Sequence, residues 1–216
     1  MNAEAARLQM VEQQVRAWAV LDPQVLDAMG SVPRERYVPA SFADAAYADA
    51  PVPLGNGHSM LSPSLDGRIL QAIGVRTGES VLEIGTGSGF LSACLSALGV
   101  SVRSVEIDAA LAQSAATRLQ ADGRLNVSVE TADATVLEPT AAYDAVIVSA
   151  ALPAYDSRYQ RWLRPGGRLF VVVGQREPME AVLVTRTTDN EFQHESLFET
   201  VIEPLLHAAA PSAFRF

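Results

Sequence analysis

The stretch Val81-Leu82-Glu83-Ile84-Gly85-Thr86-Gly87-Ser88-Gly89-Phe90 decides how the rest of the 216-residue chain is read. A short apolar run containing β-branched residues stops at alternating glycines, and the apolar-periodic Leu91-Ser92-Ala93-Cys94-Leu95 follows. That pattern predicts strand, tight turn, helix. Such a corner suits a nucleotide-bearing cofactor. Glycine serves there because the turn needs φ values that a Cβ resists and because the ligand must approach the backbone closely. The turn also delivers the ligand to the positive end of a helix.

Details of the turn discriminate between cofactors. A dinucleotide fingerprint counted from Gly85 would need its third glycine where Phe90 stands. The pattern present instead, Glu83-x-Gly85-x-Gly87-x-Gly89, resembles the first motif of S-adenosylmethionine-dependent methyltransferases. A carboxylate at the strand end suits a ligand carrying an ammonium and a sulfonium, whereas it would repel a pyrophosphate. Glu83, Gly85, Thr86, Gly87, Ser88 and Gly89 are thus the expected cofactor cradle. Working outward, a second strand over 101–108 ends in acid roughly 20 residues past the turn, the spacing at which a carboxylate meets ribose hydroxyls. Glu106, with Ile107 beside it, is the candidate for that grip. Asp133-Ala134, after a third strand over 126–130, stands either where a carboxylate accepts from the adenine amine or as a plain turn aspartate. Ser149 lies near the end of a fourth, almost wholly apolar strand over 143–151, which predicts a central strand covered on both faces.

Composition limits what the chain can do. With 49% hydrophobic and 19% charged residues it suits one sizeable α/β domain with a real core. A net charge of −9 and the absence of any Lys/Arg run argue against a nucleic-acid groove. The single cysteine, Cys94, excludes an internal disulfide and a cysteine-rich metal cluster and reads as a small buried hydrophobe. No metal site is expected. The amino terminus lacks the basic, apolar and small-residue succession of a secretion signal, and no apolar run is long enough to cross a bilayer. A cytoplasmic location without membrane attachment is the resulting expectation.

Upstream of the corner, apolar residues at helical spacing predict an amphipathic helix over 3–18, and Asp22-Pro23 predicts the start of a second helix running to Met29. An irregular, proline-bearing connector precedes a turn-rich loop over 54–63, which reads as a lid over a ligand before the helix 64–73. Downstream, 109–120 and 155–163 read as helices, 164–167 as a turn, and 168–173, 181–187 and 192–201 as strands, the last two forming a hairpin. The expected fold is α/β: a doubly wound, mostly parallel, seven-stranded Rossmann-like sheet with N-terminal helices and an antiparallel C-terminal edge. The division expected is a helical cap with lid over 1–62 and a cofactor domain over 63–216.

Several segments together resemble protein-L-isoaspartate (D-aspartate) O-methyltransferases: Val11-Glu12-Gln13-Gln14-Val15, Val32-Pro33-Arg34-Glu35-Arg36-Tyr37-Val38-Pro39, the loop 55–63, the glycine corner and Leu163-Arg164-Pro165-Gly166-Gly167-Arg168-Leu169. The resemblance implies methyl transfer from S-adenosylmethionine to the stray carboxylate of isoaspartyl residues in peptides or proteins. A carboxylate is already an anion at neutral pH, so no general base is required and positioning supplies the rate. The lid departs from the family pattern Gly-x-Gly-Gln-Thr-Ile-Ser-x-Pro. Aligned on Gly55, Gly57 and Pro63, it carries His58 for Gln, Ser59 for Thr, Met60 for Ile and Leu61 for the serine that contacts the substrate carboxylate. Either Ser59, Ser62 or His58 takes over, or the enzyme methylates another small acid or metabolite, or the chain binds the donor without catalysis. Base N-methyltransferases carry Asp/Asn-Pro-Pro-aromatic after the fourth strand, where this chain has Ser149-Ala150-Ala151-Leu152-Pro153. Neither the oligomeric state nor the role of the tail Phe214-Arg215-Phe216 is legible.

Overall fold

The structure, a computed structural model, describes residues 3–138 and 143–209; the aromatic tail lies outside them. The glycine corner falls between strand β3 (Ser80–Ile84) and helix α4 (Phe90–Ala97). It sits at the middle of a seven-stranded sheet ordered β5-β4-β3-β6-β7-β8-β9, with β4 at Ser101–Glu106, β5 at Val127–Thr131, β6 at Tyr143–Leu152, β7 at Leu163–Val173, β8 at Met179–Arg186 and β9 at Phe192–Thr200. The first five of these strands in chain order pair in parallel, and β8 and β9 add antiparallel at one edge. The chain runs outward from β3 to β5 and then returns to β6. The crevice at the carboxyl ends of β3 and β6 is therefore the topological switch point at which such sheets bind ligands.

Strand alternation sorts the core into two layers. Val81, Ala145, Ile147 and Phe170 face helices α2 (Pro23–Ser31), α3 (Pro63–Ile73) and α4, while Leu82, Val146, Val148 and Leu169 face Tyr159 and Trp162 on the other side. Asp22 caps α2 as the sequence indicates, its side chain accepting from Gln24 N at 2.9 Å. Asp108 does the same for α5 (Ala109–Ala121), accepting from Ala110 N and Leu111 N. Cys94 is fully buried in α4, and burial pushes its thiol pKa up.

Four local expectations change. The first helix, α1 (Ala3–Met10), is shorter than expected; a wider π turn over Val11–Val15 and a 3₁₀ turn over Arg16–Trp18 follow, ended by Ala19 at φ +63°. The wider turn keeps Met10, Val11 and Val15 all buried. The helix expected over 155–163 is only a 3₁₀ turn, Tyr159–Trp162, because the Asp156 side chain accepts from Arg158 N and closes a turn of its own. Residues 164–167 are a bulge inside β7, whose pairing jumps from Tyr143↔Leu163 to Ala145↔Arg168. The loop before α3 is a hairpin, β1 (Val52–Gly55) and β2 (His58–Met60), turned by Asn56-Gly57 at φ +52° and +80°. Positive φ at both positions is what a tight primed turn demands.

Candidate active site

The glycines set the geometry first. Gly85, Gly87 and Gly89 take φ of +94°, +54° and +87°, and Gly85 N donates to Val105 O at 2.8 Å, tying the turn to β4. A bulge in β6 between Ile147 and Ala151 turns Ser149 toward the corner, where its Oγ lies 2.9 Å from Ile84 O and 2.8 Å from Gly85 O. A Cβ on Gly85 would stand 2.5 Å from that oxygen. The cradle is thus closed from below and open above.

Above it lies a cavity of about 890 Å³, within the range of a small-molecule site. Gly85, Gly87, Glu106, Ile107, Asp133, Ala134 and Ser149 line one end, and His58, Ser59, Leu61 and Ser62 from the hairpin line the other. Thr86 and Ser88 face a smaller space of about 40 Å³ between the turn and the hairpin, and Gly89 serves as the N-cap of α4. Glu106, 4% exposed, accepts from Gly87 N at 2.8 Å and from Asp108 N at 3.0 Å. Each carboxylate oxygen keeps a further acceptor site. Asp133 lines the cavity and also closes a turn: Oδ1 accepts from Thr135 N and Oγ1, and Oδ2 lies 2.7 Å from His207 Nδ1. That histidine contact, before all else, holds its carboxyl below the usual range.

Glu83 is the exception among the expected cradle residues. Parity on β3 sends it with Val81 beneath α4, where Oε2 accepts from Ser92 Oγ and, at 2.6 Å, from Ser104 Oγ; it lines neither cavity. Oε1 is buried without a partner, and burial lifts the carboxyl to about 7. Because the folded pKa is raised, the proton is held more tightly in the folded state. The associated stability is present below the unfolded value and is lost as pH rises through 7. Wild-type stability should therefore fall by on the order of 3 kcal/mol from this group between pH 4.5 and 8. Urea unfolding of Glu83→Gln should show a correspondingly flatter pH dependence; an unchanged slope would refute this account.

The hairpin residues separate clearly. Ser59 Oγ donates to Glu203 Oε1 at 2.7 Å, so this hydroxyl is turned to the segment after β9. That segment, residues 201–206, lines the cavity mouth and is also held by Ala151 N→Glu203 O and Leu205 N→Ala151 O, both 2.8 Å. Leu61 packs its side chain against the core. Ser62 does not cap α3 with its side chain; Asp49 accepts from Ser64 N instead, while Ser62 Oγ lies 3.2 Å from Ser64 Oγ.

Behind the hairpin stands a pair that sequence reasoning did not single out. Arg34, fully buried, donates to Asp66 Oδ2 at 2.8 Å, to Ala46 O at 3.0 Å and to Leu61 O at 2.7 Å, with its guanidinium 4.5 Å over the Phe90 ring. Burial pushes Asp66 up to about 7 against the pull of Arg34. The connector, hairpin, α3 and α4 are pinned at one point. Arg68, Phe198 and residues 201–206 also line the cavity without having been expected there. The only legible hint was that Arg68 follows Ser64 by four residues, one helical turn. Among the described residues, no group of acids, histidines or cysteines could hold a metal ion.

The family model for protein-L-isoaspartate(D-aspartate) O-methyltransferase matches residues 5–209. The chain is 39% identical over 204 residues to the protein-L-isoaspartate O-methyltransferase of Methylorubrum populi, covering 94% of this chain and 96% of that one. It is 37% identical over 207 residues to the protein of the same name from Brucella anthropi, covering 95% of each. A Plasmodium falciparum beta-aspartate methyltransferase (PCMT), solved in complex with S-adenosyl-L-homocysteine, has the same fold, with a TM-score of 0.80 at 17% identity over 92% of this chain and 97% of that one.

Proposed function

Since the chain belongs to the protein-L-isoaspartate(D-aspartate) O-methyltransferase family, we propose that the cavity at its switch point works as a methyl-transfer site for isoaspartyl carboxylates, with roles assigned residue by residue below. The chain is an S-adenosylmethionine-dependent protein-L-isoaspartate O-methyltransferase. The readings as a methyltransferase of another small acid or as a donor-binding protein, which Leu61 motivated, are not favoured, since the family model and the relatives match nearly the whole chain.

The cradle suits the donor. Its glycines leave open backbone where side chains would intrude, and a buried carboxylate, Glu106, faces the cavity with acceptor sites to spare. Bound there, S-adenosylmethionine supplies the electrophilic sulfonium methyl. Gly85 and Gly87 would admit it to the backbone, Glu106 would accept from ribose hydroxyls, and Asp133 with Ala134 would border the base. Ser62 would take the place of the family serine: it lines the cavity, and its only side-chain partner among the described residues is another hydroxyl. With the acceptor already an anion, these groups have to orient it and exclude water.

The carrying observation is that a glycine turn, a buried acid and a hydroxyl-bearing helix start converge on one cavity. Incubating the protein with methyl-labelled donor and an isoaspartyl peptide, then trapping volatile methanol from the ester, is expected to give label; the aspartyl isomer is expected to give none. No methanol from either peptide would end the reading. Glu106→Ala is expected to weaken donor binding by about 1–3 kcal/mol, by leaving ribose donors unpaired. An unchanged dissociation constant in calorimetry would remove that role.

We also assign the remaining details. Residues 1–62 form the helical cap with its lid and 63–216 the cofactor domain, together a single catalytic unit. No described helix is long and apolar enough to cross a membrane, and with a buried lone thiol and net charge of −9 the protein is proposed to act in the cytoplasm on peptides or proteins, not on nucleic acid.

A further inference from the structure

The acceptor half of the cavity contains one cation whose purpose the family reaction leaves open. Arg68 projects from α3 into the cavity and lays its guanidinium 3.5 Å over the face of the Phe198 ring. Stacking fixes the plane of the group and leaves its N–H edge available. Other arginines of the fold are committed: Arg34 to Asp66, Arg103 to Glu130, Arg164 to Asp144, Arg168 to Glu79. Arg68 has neither a hydrogen bond nor an ion pair among the described residues.

Charge makes this unusual. The described cavity lining carries Asp49, Glu106, Asp133, Glu199 and Glu203, and Arg68 is its only arginine; the chain has no lysine at all. An anionic acceptor would meet repulsion almost everywhere except at this edge of α3. Ser64 precedes Arg68 by one turn, and Ser62 Oγ lies 3.2 Å from Ser64 Oγ, so two hydroxyls and one guanidinium lie along one side of the helix. A planar guanidinium matches a carboxylate through two parallel hydrogen bonds.

We propose that Arg68 receives the free carboxylate of the acceptor, with the Ser62 and Ser64 hydroxyls beside it, so that selection of an anionic acceptor is carried by α3 and not by the hairpin position where Leu61 stands. This rests on the isoaspartyl reading above. It makes Arg68 a binding residue that aligns the carboxylate while Glu106 and the glycine turn hold the donor.

The test is calorimetry of an isoaspartyl peptide and of its neutral carboxyl methyl ester, each titrated into protein saturated with S-adenosylhomocysteine. Wild type should bind the acid at least 10-fold tighter than the ester. Arg68→Met, which keeps the aliphatic stem, should lose 10- to 50-fold affinity for the acid and none for the ester, with S-adenosylhomocysteine binding unchanged; Arg68→Lys should recover part of the loss. In turnover the loss should appear in KM, with kcat moving less than threefold. Undiminished acid binding by Arg68→Met would overturn the proposal, as would equal loss for acid and ester, which would mean that Arg68 only props Phe198. If wild type binds neither peptide and releases no methanol, the isoaspartyl reading itself fails and this inference falls with it; methanol release by wild type with an unaffected Arg68→Met overturns the inference alone.

Discussion

Arg34→Ala is expected to lower the free energy of unfolding by about 3–5 kcal/mol at pH 8, the range found when one partner of a buried ion pair is removed. Arg34 is fully buried and Asp66 is 2% exposed. Truncation would leave a carboxylate without its counter-charge and two carbonyls, Ala46 O and Leu61 O, without their donor. The sign of the pH effect follows from Asp66, whose pKa burial already raises to about 7. Without Arg34 it rises further, so lowering the pH protonates Asp66 and shrinks the penalty. Urea unfolding at pH 5 and pH 8 should therefore show the variant closer to wild type at the lower pH. A deficit under about 1 kcal/mol at both would show that the pair contributes nothing net. The double variant Arg34→Met/Asp66→Leu should recover much of the loss, because an apolar pair of similar size carries no buried charge.

Gly85→Ala is expected to weaken S-adenosylmethionine binding by about 100-fold, or roughly 2.8 kcal/mol. Two costs combine. An L-residue at φ +94° is strained by about 1–2 kcal/mol, and the added Cβ displaces Ser149 Oγ, whose one hydroxyl hydrogen is shared between Ile84 O and Gly85 O in a bond worth about 0.5–1.5 kcal/mol. Because the displaced groups form the floor of the cradle, the strain lands where the ligand must fit. Adding Ser149→Gly removes the collision but not the backbone strain, so the double variant should regain part of the affinity. Calorimetry on folded protein measures both; full affinity in Gly85→Ala would mean that the backbone at this turn is not what the donor meets.

The sheet was legible because its signals are local and periodic. Apolar strands alternate with helices, and the double winding that places the cavity follows from that order. Glu106 lines the cavity, as its spacing leads one to expect, because an acid at a fixed distance past a glycine turn has few other places to be. Glu83 was misjudged because sequence adjacency to the glycines says nothing about parity: one residue nearer the turn, Ile84 lines the cavity, while Glu83 points beneath α4. The lid read as a loop because Gly55-Asn56-Gly57 is turn chemistry, yet that same chemistry makes a hairpin when both flanks can pair. What no local signal carries is a partner far along the chain: Arg34 with Asp66 is separated by 32 residues, Asp133 from His207 by 74, and Ser59 from Glu203 by 144.

That last contact has a kinetic consequence. Residues 201–206 line the cavity mouth and are fastened by Ser59–Glu203, by two backbone bonds with Ala151 and, just beyond, by His207–Asp133. Four exchangeable bonds of about 1 kcal/mol each put the unlatched form near one molecule in a thousand. We expect spent donor and methylated product to leave past this segment, so that loosening the latch by Glu203→Ala speeds the release of S-adenosylhomocysteine without touching the chemistry.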